Sequence, residues 1–125
     1  MTRIKVCGLT RLGDALSCVD AGVDTLGINF WSGTKRRCDV GTAREIVKAV
    51  GDRAELVALF VDAAESEIRE TLDATGIRWV QLHGSEPPEL VYWPGFLVAR
   101  PGSASEQRVL VGLDELGKPT WERAL

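Results

Sequence analysis

Leu56-Val57-Ala58-Leu59-Phe60-Val61 is an apolar run without polar alternation. A strand with one wet face alternates apolar and polar residues; a parallel strand covered on both faces does not. Reading outward from this run, amphipathic segments flank it on each side. Downstream, Ile68, Leu72 and Thr75 mark a helix face that ends at Gly76. Upstream, Ala43, Ile46, Val47 and Val50 mark another, closed by Gly51.

The cycle continues in both directions. Thr25–Phe30 reads as a strand, preceded by a helix carrying Leu12, Ala15, Leu16 and Val19 and stopped near Gly22. Thr10 is the expected N-cap of that helix. That places Gly13 at N3, where a Glu would complete a capping box; Asp14 still sets a carboxylate near the positive end of the helix dipole. Ile4–Cys7 is the first strand. Trp79–Leu82 is a fourth strand, Pro87 and Pro88 suit the first turn of a short helix through Tyr92, and Phe96–Ala99 is a fifth strand.

Regular strand–helix alternation implies right-handed βαβ units and a parallel sheet. The repeat, roughly 25 residues per unit, is common to closed barrels and open sheets. The 125 residues fit one domain, 1–125. After Pro101 the rhythm weakens. Val109–Leu113 suggests a sixth strand, with little room for a helix before it.

Composition narrows the function. Apolar residues make up 45%, charged residues 26%, and the net charge is −3, an ordinary soluble balance without a nucleic-acid footprint. The cluster Lys35-Arg36-Arg37 is local. No apolar stretch is long enough for a membrane span and no leader is evident. Three cysteines, without a CxxC, and a single histidine argue against zinc and for reduced thiols in the cytoplasm.

Chemistry concentrates at strand ends, where parallel α/β folds hold their ligands. Cys7 ends the first strand, with Gly8 admitting a tight turn; by itself such a cysteine is more often a small buried apolar residue. His83 ends the fourth strand and Asp62 follows the third, where an Asp is often a turn residue.

The strings KVCGLTRLGDAL, AGVDTLGINF, TKRRCDVGTAREIV, LFVDA and VQLHGSEPPEL, in that order, resemble the phosphoribosylanthranilate isomerase family of tryptophan biosynthesis. The likeness covers roughly residues 3–100. It implies a (β/α)₈ TIM barrel without cofactor or metal. The reaction is an Amadori rearrangement of a phosphosugar, from aminoaldose to aminoketose. It also implies that Cys7 is the general base removing the C2′ proton, for which an ordinary thiol must be held as thiolate. Arg36, or Arg37 beside it, takes the substrate's anthranilate carboxylate, and His83 sits at the mouth in a positioning role. The acid that opens the furanose ring falls on Asp114, with Glu115 adjacent. The Gly117–Trp121 segment resembles a family Gly-Lys-Thr segment near strand seven.

The family runs to about 200 residues. This chain is therefore expected to be a partial barrel with five to six parallel strands, residues 101–125 being a compressed remnant of the C-terminal part. Eight strands close such a barrel, so exposed sheet edges suggest a homo-oligomer. A second reading, from another class, is a catalytically inactive truncated or engineered fragment that folds and self-associates. A nucleotide-binding open sheet lacks a glycine-rich fingerprint after the first strand.

Overall fold

The computed structural model describes residues 2–86 and the backbone of strands at 97–100, 109–113 and 119–123. The elements run β1 (Lys5–Cys7), α1 (Leu12–Asp20), β2 (Thr25–Asn29), α2 (Val40–Val50), β3 (Glu55–Phe60), α3 (Glu65–Thr75), β4 (Trp79–Leu82), β5 (Leu97–Arg100), β6 (Val109–Leu113) and β7 (Pro119–Arg123). A 3₁₀ turn at Gly51–Arg53 links α2 to β3. The strands form one sheet in chain order, β1 to β7.

The pairs from β1 to β5 are all parallel, so the fold is a partial (β/α) barrel with five parallel strands. The sixth strand departs from expectation: β6 runs antiparallel to β5, and β7 antiparallel to β6. The reason is connection length. A parallel crossover takes a dozen or more residues, whereas residues 101–108 suffice only for a hairpin return. β7 has no counterpart among the strands expected from the sequence. It begins on Pro119 and lies at a sheet edge, where a missing N–H is tolerated. The expected helix at Pro87–Tyr92 lies outside the described residues, as do Asp114 and Glu115.

Alternation along the strands sorts the side chains. Leu26, Ile28, Leu56, Ala58, Phe60, Val80 and Leu82 lie on one face and join Ala15, Ala43, Ile46, Val50, Ile68 and Leu72 of the helices in a single core. Phe30 and Phe60 stack there, ring centroids 5.5 Å apart. The α1–α2 and α2–α3 pairs pack side by side over it. On α2 and α3 the expected faces are the buried ones, although Val47 is only half-buried.

The helix ends follow the sequence with one correction. Gly51 and Gly76 cap α2 and α3 at positive φ (56° and 78°), where a side chain would be strained. The N-cap of α1 is Arg11, not Thr10, and its side chain makes no cap bond. The turn runs one residue longer because Leu9 is drawn into the core. Gly13 therefore sits at N2, with open space around it, and Asp14 takes N3. At α2 the Asp39 carboxylate accepts the Thr42 N–H at 2.8 Å and the Thr42 hydroxyl at 2.9 Å. These bonds hold its pKa below the usual carboxylate value. Burial, helped by the Asp39 charge, pushes the neighbouring Cys38 thiol up. Among the described residues no helix is long and apolar enough to cross a membrane.

Candidate functional site

The second face of the sheet, away from the helices, carries different chemistry. Lys5 and Cys7 of β1 point to it, as do Gly27 and Asn29 of β2, Val57 and Leu59 of β3, and Gln81 of β4. Lys5 Nζ donates to Gln81 Oε1. On a flat sheet β1 and β4 would stand roughly 14 Å apart, three strand spacings. A bond between their side chains therefore requires the sheet to curl toward a barrel, with this face inside.

Cys7 closes β1 and is exposed. It pairs in register with Gly27, and the reason for that glycine is steric: a Cβ there would lie 2.7 Å from Cys7 Sγ and 3.1 Å from its Cα. Only a residue without a side chain lets the thiol stand where it does. Gly8 follows at φ +84°, donating its N–H to Gly27 O at 3.1 Å. A Cβ on Gly8 would meet Arg36 Cδ at 2.7 Å, so the arginine stem lies across the turn immediately after Cys7.

Arg36 belongs to the loop after β2. That loop is tied locally: Trp31 N–H donates to Asn29 Oδ1 at 2.8 Å, Arg36 N–H to Thr34 Oγ1 at 3.2 Å, and Cys38 N–H to Asn29 O at 2.8 Å. The Trp31 ring covers Gly33 and is itself exposed. Of the two adjacent arginines, Arg36 is the one laid beside the Cys7 turn; Arg37 bridges to Asn29 through the backbone.

His83 directly follows β4 and is exposed. Its N–H donates to Phe60 O at 2.9 Å, and its Nδ1 lies 3.4 Å from Gln81 Nε2. A carboxylate clasp holds the turns on either side. Glu86, 4% exposed, accepts Asp62 N–H at 3.0 Å and Gly84 N–H at 2.8 Å, while Asp62 Oδ1 accepts Ser85 N–H at 2.7 Å. Asp62 adopts φ 51°, a left-handed conformation that Asp tolerates better than most residues. Gly84 has no room for a side chain, since its Cβ would meet the Asp62 carboxylate at 2.6 Å.

Cys7, Arg36 and His83 thus stand at the same end of the sheet, the C-terminal ends of parallel strands. Lys5, Gln81 and Glu86 support that rim, and sequence reading gave them no role. Lys5 and Gln81 each precede a candidate residue by two, a period-2 signal available in the sequence. Glu86 has no such signal, because the turn it ties to its own, at Asp62, is 24 residues away. A groove of about 480 Å³ at the opposite end is lined by Arg3, Asp24, Glu55 and Arg78 among others, a mixed-charge surface remote from Cys7. Among the described residues no group of three or more His, Cys, Asp or Glu is placed to hold a metal.

A family profile described as N-(5'phosphoribosyl)anthranilate (PRA) isomerase matches residues 4–94. The N-(5'-phosphoribosyl)anthranilate isomerase of Myxococcus xanthus is 47% identical over 87 residues, 70% of this chain and 41% of that protein. The phosphoribosyl anthranilate isomerase of Thermus thermophilus superposes with TM-score 0.71 at 34% identity, over 79% of this chain and 50% of its own. A phosphoribosyl anthranilate isomerase solved with reduced 1-(o-carboxyphenylamino)-1-deoxyribulose 5-phosphate gives 0.69 at 37% identity, over 72% and 46%. The chain spans about two fifths of the length of the curated relatives it matches.

Proposed function

Because the chain belongs to the N-(5'-phosphoribosyl)anthranilate isomerase family, we propose that it serves the family's aldose–ketose isomerisation, with Cys7 as the base. The observation that carries this reading is the joint placement of Cys7, Arg36 and His83 at one end of the sheet, the arginine lying across the Cys7 turn. The exposed thiol is open to a substrate carbon. It takes the C2′ proton of the ring-opened sugar while Arg36 receives the anthranilate carboxylate as a planar fork. His83 positions the substrate at the mouth. Asp114 is the proposed acid for ring opening, with Glu115 its alternate.

The test is steady-state kinetics on phosphoribosylanthranilate, followed by fluorescence. Cys7→Ser should lower turnover about 10²–10⁴-fold, the usual contribution of a positioned base. Asp114→Asn should lower it comparably if that carboxylate reaches the ring oxygen. Parental turnover in Cys7→Ser would refute the base assignment. A second reading is a folded but silent fragment. A folded parent without turnover would establish it.

A cytoplasmic setting suits three unpaired thiols. β1 ends the sheet on one side, and an open edge of this kind favours pairing with a second copy. Molecular mass in solution tests that homo-oligomer directly.

A further inference from the structure

We infer that a directed hydrogen-bond chain from Lys5 through Gln81 sets His83 as the Nε2–H tautomer. His83 then presents a ring N–H donor to an oxyanion of the bound phosphosugar, with Lys5 and Gln81 as positioning residues. The substrate class rests on the function proposed above; the tautomer does not. A lysine ammonium has three donors and no acceptor. The atom of Gln81 facing Lys5 is therefore the amide oxygen, and the NH₂ group is turned the other way. That NH₂ can only donate, and it faces His83 Nδ1 at 3.4 Å. Nδ1 must then offer its lone pair. The ring proton is left on Nε2, at the far edge of an exposed imidazole.

The placement supports the role. Gln81 is buried, so its amide is shielded from competing water. Lys5, Cys7 and Gln81 address the inner side of the curled sheet, and the His83 ring, just past β4, lies against the Gln81 amide. The polarity of the chain originates at Lys5 and ends at the rim where Cys7 stands.

His83 is the only histidine, so imidazole nitrogen spectra are free of overlap. The experiment is a two-bond ¹H–¹⁵N correlation on protein labelled at histidine, recorded with the ring neutral. In the parent, Nδ1 should give a pyridine-type signal and Nε2 a pyrrole-type one. Free imidazole also prefers this form, so a variant decides. Gln81→Glu replaces the NH₂ donor by a second acceptor oxygen, and Nδ1 should then carry a proton. Lys5→Met provides an independent variant: without the ammonium the amide is free to turn, and both tautomers should appear. A protonated Nδ1 in the parent overturns the inference. So does an unchanged spectrum in whichever variant remains folded.

Reduced 1-(o-carboxyphenylamino)-1-deoxyribulose 5-phosphate then probes the donor role. It should shift the Nε2 signal and bind Gln81→Glu about tenfold more weakly than the parent. Binding to the parent without an Nε2 shift overturns the donor assignment. No binding to the parent at all counts against the proposed substrate, and the tautomer stands or falls on the spectra alone.

Discussion

The two faces of strands β1 to β4 are built from the same few residues, yet they differ in kind. Toward the helices stand Leu26, Ile28, Leu56, Ala58, Phe60, Val80 and Leu82, buried and packed with helix side chains. Toward the inside stand Val57 and Leu59, also buried, among Lys5, Cys7, Gly27, Asn29 and Gln81, which are polar or have no side chain. Strand geometry turns successive side chains to opposite sides, so adjacent residues serve opposite ends. One face holds the sheet to its helices. The other surrounds Val57 and Leu59 with groups available for chemistry, and a change at its exposed rim should alter stability much less than a change in the helix-side core.

The helix-side face depends most on Phe60. It is 1% exposed and stacked on Phe30. Phe60→Ala should cost about 3–5 kcal/mol in urea unfolding. A cost below about 1 kcal/mol would mean that the helix-side core is not what holds the sheet. Gly27 tests the inner face sterically. Gly27→Ala places a methyl 2.7 Å from Cys7 Sγ. It should cost about 1–3 kcal/mol and slow alkylation of Cys7 by iodoacetamide; unchanged alkylation would show that the thiol does not lean over Gly27.

A smaller effect concerns acid. The Asp39 pKa is lowered in the fold by its bonds to Thr42. Stability from this cap is fully present above the unfolded carboxylate pKa, about 3.9. It fades as pH falls through the lower folded value. Asp39→Ala should remove that part of the acid dependence in melts between about pH 5 and 2, and an unchanged profile would rule the cap out. The smallest expected change is the most telling. Cys7→Ser, on the exposed inner rim, should shift unfolding by no more than about 0.5 kcal/mol whatever it does to turnover. A large loss of stability would make Cys7 a core residue and collapse the distinction between the faces.

Reading the sequence located β1 to β5 to within one residue at most ends, because long apolar runs and helical spacing are local signals. Leu56–Val61 against the observed Glu55–Phe60 is typical. The helix faces Ala43–Ile46–Val50 and Ile68–Leu72–Thr75 were legible for the same reason. The α1 cap was misplaced because Thr10 has the right side chain, while burial of Leu9 two residues before the observed cap moved the start to Leu12.

Cys7, Arg36 and His83 were readable as candidates because each belongs to a short motif at or after a strand end. Periodicity and motif, then, were written in the chain: five strands, three helices, and the residues at their C-terminal ends. The fold alone decided what stands beside what. Lys5 meets Gln81 across 76 positions, Asp62 and Glu86 clasp two turns, and Gly27 yields its space to a thiol from another strand. It also decided that β6 returns antiparallel. Contacts of this kind depend on the curl and register of the whole sheet, and no local run of residues encodes them.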